Sequence, residues 1–289
     1  MSRHRIGLEK KKMLAGYVYI APWAIGFALF MFYPLAYSVW LSFHEVVGVG
    51  NFHLESVGWE NFNKAFVLDV QFIPLFISVV QDALINTPLT IVFSLFIAIL
   101  LNHKIKARAF FRAAFFLPVL IGSGLAMQQL LYAGVGKDTL VNGIGVPEEV
   151  FLYMGPTFSQ IVFDMLSRLT VIFWKTGVQV LLFLAGLQGI PLSLYESARC
   201  DGATEWEMFW KITLPLISPI ILLNLVYTFV DSFTDINNRM MVYIKDTAFT
   251  KIEMGYASSM GWIYFLFIFL LLVIVFVSTR RFVVYTGEK

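Results

Sequence analysis

Residues 195 to 215 read YESARCDGATEWEMFWKITLP. Four carboxylates (Glu196, Asp201, Glu205, Glu207) and two cations (Arg199, Lys211) sit there between two stretches apolar enough for lipid. Ser193-Leu-Tyr-Glu196 and Thr204-Glu-Trp-Glu207 both have the S/T-x-x-E form of a capping box, which starts a helix by satisfying its first free amides. Between them Gly202 permits a turn, since glycine carries no Cβ penalty at positive φ. The stretch therefore predicts a short helix, a bend and a second helix running into the next apolar segment, with Pro215 and Pro219 near the membrane. On the first helix Glu196, Arg199 and Cys200 share a side by i, i+3 and i+4 spacing, and Ala198 is small enough for close approach. Such a hairpin is either a lever that a partner pushes or a well-capped connection between two helices.

The surrounding chain is 289 residues, 58% hydrophobic and 14% charged, with mean hydropathy +0.76. Soluble domains carry about 25% charge, so this is an integral membrane protein. Spanning a hydrocarbon core takes about 20 apolar residues. Six stretches qualify, at 13–43, 73–102, 108–133, 161–188, 212–232 and 257–279. The first is preceded by the basic run RHRIGLEKKK but stays uncharged for 31 residues, too long for a signal core, and predicts a retained span. The fourth carries Asp164, Arg168 and Lys175 in its first half. Asp164 and Arg168 are four apart and fit either an ion pair at the outer interface or a charge beside a water-filled pathway. With both termini inside, fourteen Lys and Arg fall on the cytoplasmic side and five in the outer loops, which places 195–215 in the cytoplasm. The expectation is an all-α integral membrane protein of six transmembrane helices. It has a cytoplasmic segment 1–12, a single membrane domain 13–284 and a tail 285–289. Gly26, Pro22, Pro34, Pro88 and Pro118 inside spans are compatible with kinks around a cavity.

Several chemistries are disfavoured. Cys200 is the only cysteine, and His4, His44, His53 and His103 show no close ligand spacing, so no metal site and no catalytic cluster is expected. A net charge of +2 is too small to suggest nucleic acid. The glycine-rich YAGVGKD around Lys137 lacks the G-x-x-x-x-G-K-[ST] spacing of a nucleotide loop, so no nucleotide site is expected on this chain. An ion-coupled secondary transporter is the alternative, although no internal repeat is visible.

Glu196-Ser197-Ala198, three residues, Gly202, nine residues, then Ile212-Thr213-Leu214-Pro215 resembles the signature E-A-A, x3, G, x9, I-x-L-P of permease subunits of ATP-binding-cassette importers. The similarity extends along the chain and looks closest to carbohydrate-importer permeases. APWAIGFALFMFYPLAYSVWLSF resembles their first span, ARAFFRAAFFLPVL their third, and FWKTGVQVLLFLAGLQGIP their fourth. The resemblance implies a type I importer permease fold with a coupling loop at 189–213 that docks on an ATPase. Glu196, Ala198, Asp201 and Gly202 are the coupling positions it carries over, with Arg199 a neighbouring contact. Ser197 replaces the second alanine, small for small, and DINNRMMVYIKDTAFTKIEMGY (235–256) lacks the Thr-x-Gly-Gly-Pro turn common in these permeases. The resemblance further implies a cytoplasmic ATPase dimer, an extracytoplasmic solute-binding protein and a bacterial cytoplasmic membrane. This chain would bind no cofactor itself and would not be an enzyme, with ATP and Mg on the partner. Six spans enclose a bulky polar solute poorly, so a second, related but different permease chain is also expected.

A sugar route should offer amides, hydroxyls and aromatic platforms. Asn86, Gln128, Gln129, Gln179, Asn224, Tyr227 and Asp231 are the candidates, and each also fits a polar group bonded to a neighbouring helix. Asn224, Tyr227 and Asp231 follow i, i+3, i+7 spacing and could line one face of the fifth span.

Overall fold

The computed structural model describes residues 3–47, 53–102 and 176–282, with isolated helical positions between 158 and 175. Its contacts form two compact units, Met1–Ile77 with Ile236–Ile268, and Ser78–Asp235 with Phe269–Lys289.

In the first unit, helix α1 (Arg3–Phe27) passes through a π turn (Ala28–Phe32) into α2 (Tyr33–Leu41). The widened turn lies just before Pro34, whose ring cannot donate an N–H and would crowd the carbonyl four residues back in a regular helix. The chain then forms a two-stranded antiparallel ribbon, β1 (His44–Val47) with β2 (His53–Ser56), pairing His44 with Ser56. This short ribbon is a local addition to a mostly helical chain, as the all-α expectation has it. Hydropathy shows only that the span has ended, whereas the ribbon is built from backbone pairing in polar sequence. Asn61, on the short α3 (Glu60–Asn63), donates through Nδ2 to the Ser42 and His44 carbonyls at 3.0 Å each.

Helix α4 (Phe72–Asn102) begins one residue before the predicted second span and ends with it. Pro88 lies inside it. In the second unit α5 (Gly177–Gln188) packs against α4 through Val180, Phe183, Leu184 and Leu187, which meet Ile91, Ile97, Ala98 and Leu101. These residues recur at the three-and-four spacing of one helix face. After α5 come α6 (Leu192–Cys200), α7 (Glu205–Met208), a second π turn (Phe209–Thr213), α8 (Leu214–Leu216) and α9 (Ser218–Thr234). The chain closes with α10 (Arg239–Phe249) and α11 (Met254–Thr279), the latter matching the sixth predicted span.

Gly16–Leu41, Phe72–Asn102 and Met254–Thr279 are each long and apolar enough to cross a membrane. Ser218–Phe249 also qualifies as a run. The chain breaks at Asp235, however, and α10 carries Arg239, Lys245 and Asp246, so α9 is its crossing part. Seventeen residues of α9 give about 25 Å of rise, close to the hydrocarbon thickness. Between α5 and α6 the axis bends by 63°, and polar α6 leaves the direction of its span. The predicted span at 108–133 lies outside the described residues.

Between α10 and α11, Ile252 has φ +61, an uncommon geometry that is a genuine outlier for a β-branched side chain. The Lys251 and Glu253 amides reach back to the carbonyls of Asp246 and Thr247 and hold the turn. Left-handed geometry costs an L-residue about 1–2 kcal/mol, part of which glycine returns as unfolded-chain entropy. Ile252→Gly should therefore raise the melting temperature in detergent by about 1–3 °C. A fall would show that the half-exposed side chain packs more tightly than its surroundings indicate.

Candidate functional site

The polar interruption of the sequence folds into a helical hairpin. Helix α6 starts immediately after Pro191, whose extended backbone (φ −61, ψ 129) serves as the cap. Ser193 therefore lies in the first turn and makes no capping bond, which corrects the first predicted box. The second box is present in both directions. Glu207 N–H donates to Thr204 Oγ1 at 3.3 Å, and Thr204 N–H donates to Glu207 Oε2 at 3.0 Å. The Thr204 backbone bond, the Thr204 hydroxyl and nearby Lys211, in that order, hold the Glu207 carboxyl below its usual pKa.

Gly202 adopts φ +82. Ala203 N–H returns to the Ala198 carbonyl at 2.9 Å and Gly202 N–H to Arg199 at 3.0 Å, the two bonds of a Schellman ending. Arg199 then reaches across the turn to Glu205 at 2.9 Å. At the other end of the hairpin the Tyr195 hydroxyl meets Thr213 Oγ1 at 2.8 Å. No residue of α6 is buried, so Glu196, Ser197, Arg199, Asp201 and Gly202 lie at the surface and Ala198 is half-buried. Leu192, Trp206 and Trp210 are also exposed. A hairpin closed at both ends, with charged and aromatic side chains facing outward, is suited to contact another surface.

Within the spans, Arg168 donates to Asn86 Oδ1 at 3.2 Å and lies 3.7 Å from Asp82. Its described partners thus belong to α4, while Asp164, the partner suggested by spacing, lies outside the described residues. Lys175 pairs with Asp235 at 2.7 Å, one turn beyond Asp231. Gln179 and Asn224 are fully buried where α5 meets α9. Gln179 Nε2 donates to Thr228 Oγ1 at 3.2 Å, and Asn224 Nδ2 to the Gln179 carbonyl at 3.4 Å. Their amide oxygens have no donor among the described residues. Tyr227 and Asp231 are half-buried on α9, and Gln128 and Gln129 lie outside the described residues.

Comparison with known proteins now bears on the whole chain. Residues 70–286 match the family described as "Binding-protein-dependent transport system inner membrane component". The chain belongs to this family of permeases. A probable ABC transporter permease protein of Bacillus subtilis, YesP, is 31% identical over 97% of this chain and 95% of its own. The arabinooligosaccharides permease protein AraP of Halalkalibacterium halodurans is 27% identical over 88% of this chain and 84% of its own. A chain of a bacterial ABC transporter that imports alginate superposes with a TM-score of 0.66 at 19% identity, covering 96% of this chain and 99% of that one. A chain of a bacterial alginate transporter bound to its pentasaccharide-loaded periplasmic protein gives 0.67 at 20%, covering 96% and 98%. At these identities the two structures speak to the fold alone.

The permease also holds a polar cluster that sequence reasoning missed. Asp69, just before α4, accepts from the Tyr243 and Tyr256 hydroxyls at 2.7 and 2.5 Å and from the backbone amides of Gln71 and Phe72. Lys64 pairs with Glu253 at 2.6 Å and lies 4.4 Å over the Tyr256 ring. The partners are up to 189 residues apart, so no local pattern announces them. Burial opposes the Asp69 charge, but the bonds from Tyr256, Tyr243, Gln71 and Phe72 together outweigh it and lower its pKa. A carboxyl that titrates below its unfolded value, about 3.9, stabilises the fold fully above that value and loses this as pH falls through the folded pKa. Thermal unfolding in detergent should therefore show an acid-dependent loss below about pH 4 that Asp69→Asn weakens, while lowering stability at pH 7. An unchanged profile in the variant would assign the acid sensitivity elsewhere.

Proposed function

We propose that this permease forms half of the translocation pathway of an ATP-driven, binding-protein-dependent importer for a carbohydrate, with an oligosaccharide favoured. The observation that carries the reading is the hairpin: its signature residues Glu196, Ser197, Ala198, Arg199, Asp201 and Gly202 stand on an exposed, doubly closed platform. Docking of a cytoplasmic ATPase dimer on that platform would couple nucleotide-driven closure to the spans. ATP and Mg then belong to the ATPase, and this chain contributes no cofactor and no catalysis. Both termini and the hairpin face the cytoplasm of a bacterial cell. A second, related permease completes the pathway, and an extracytoplasmic binding protein delivers the solute.

The names of the relatives support a glycoside cargo, among them arabinooligosaccharides and sulfoquinovosyl glycerol. Asn86, Gln128, Gln179, Asn224, Tyr227 and Asp231 are the proposed pathway groups. The donor-seeking amide oxygens of Gln179 and Asn224 suit a hydroxyl-rich solute once α5 and α9 part. Gentle detergent extraction followed by mass spectrometry of co-purifying proteins tests the reading. An ATPase and a second permease should accompany the chain, and the captured binding protein can be screened against oligosaccharides. Reproducible isolation without any ATPase would favour an ion-coupled transporter instead.

A further inference from the structure

Two contacts close the hairpin, and they differ in character. Arg199–Glu205 is exposed on both sides, at 56% and 75% of the side chains, where an ion pair contributes little. The Tyr195–Thr213 hydrogen bond is partly buried, and Thr213 itself is 7% exposed. Thr213 Oγ1 also lies 3.4 Å from the Met208 carbonyl. A threonine has one hydroxyl proton. Donating it to Met208 leaves the oxygen to accept from Tyr195, so the phenol donates to threonine and threonine to the backbone.

Thr213 closes the π turn Phe209–Thr213, whose final amide bond runs from Leu214 N–H to the Phe209 carbonyl. Pro215 and Pro219 follow, yet beyond Thr213 the backbone stays bonded: Ile217 N–H donates to the Thr213 carbonyl at 3.0 Å, and the Ile220 and Ile221 amides to the Ile217 carbonyl at 2.9 Å, so Thr213 begins the bonded run into α9. Single π turns within helices frequently mark functional sites, and proline removes ladder bonds. The joint between hairpin and α9 is thus the widened π turn itself, on whose far side Thr213 is already bonded into the run leading to α9. A push on α6 would be dissipated there unless a side chain ties α6 directly to the far side of the joint. Tyr195 is one residue before Glu196, and its hydroxyl ends on Thr213, the last residue of that π turn.

We propose that Tyr195 is a positioning residue which, through Thr213, makes α6 and α9 move as one body, so that force received at Glu196 and its neighbours reaches the span. This rests on the coupling reading above. The hydroxyl, rather than the ring, is the transmitting group.

The test uses the complete transporter purified with its partner subunits. Spin labels are placed at Ser193→Cys, in the first turn of α6, and Thr234→Cys, at the far end of α9, with Cys200→Ser removing the native thiol. With Tyr195 present, the 193–234 distance should remain narrow and equal without nucleotide and with ATP, Mg and vanadate. Tyr195→Phe and Thr213→Val should each broaden it or shift it by about 2 Å or more on nucleotide binding, the scale of helix displacements in switching proteins. Thr213→Ser, which keeps the hydroxyl, should restore the narrow distance even where the valine variant is poorly expressed. In the phenylalanine variant the ATPase should still co-purify, because the docking surface is untouched.

A distance that changes on nucleotide binding with Tyr195 intact overturns the proposal. So does one that stays fixed in both Tyr195→Phe and Thr213→Val while the ATPase remains bound, and in that case the coupling reading survives. If no ATPase accompanies even the unaltered chain, the coupling reading fails and takes the clasp with it.

Discussion

Gly255→Ala is expected to destabilise the permease by about 3 kcal/mol, the upper range for overpacking a tight contact, and to lower its melting temperature in detergent by about 5 °C. Gly255 opens the second residue of α11, and a Cβ there would overlap the His44 carbonyl of β1 and lie 3.1 Å from the Leu41 carbonyl oxygen. Both obstacles are backbone, so no rotamer change relieves the clash. The His44 carbonyl is already fixed by Asn61, whose second bond holds Ser42, and moving the strand would disturb both. Gly261, on the same helix, has open space around its Cβ position and provides the control, since Gly261→Ala should leave the melting temperature unchanged or higher. Equal melting temperatures for the two variants would mean that β1 and the start of α11 separate readily.

The contrast between Gly255 and Gly202 shows which parts of this fold a sequence makes legible. Gly202 sits between a helix-ending pattern and a capping threonine, all within a few residues, and its turn could be placed from those neighbours. Gly255 looks like any glycine near the start of an apolar helix. Its constraint comes from a strand more than two hundred residues earlier. The same division runs through the polar groups. The Thr204–Glu207 box was readable because both partners share one turn, and the limits of α4 and α11 followed from hydropathy. The nominal Ser193 box failed because Pro191 set the start of α6 ahead of it. Asp69 with Tyr243 and Tyr256, Arg168 with Asp82, and Lys175 with Asp235 are each joined only by tertiary structure. A charge in a span predicts that some partner exists and leaves its identity open.

Glu196→Lys should abolish ATP-driven uptake while leaving the permease folded and inserted. Glu196 is exposed on α6 and forms no ion pair among the described residues, so its reversal removes no intramolecular support. Glutamate and lysine have similar helix propensities, which leaves α6 itself undisturbed. The consequences therefore fall on whatever docks there. Truncating one member of a buried interfacial charge pair costs about 2–5 kcal/mol, and reversing its sign adds repulsion. At 1.4 kcal/mol per decade, ATPase association should weaken by roughly 100-fold or more. The direct measurement is the amount of ATPase recovered with the affinity-purified permease, compared at equal membrane yield. Lys245→Glu, at an exposed cation on α10 outside the hairpin, serves as the surface-charge control and should retain the ATPase. Full ATPase recovery with Glu196→Lys would remove Glu196 from the docking surface, and the exposed Trp206 and Trp210 would then become the side of the hairpin to examine for that contact.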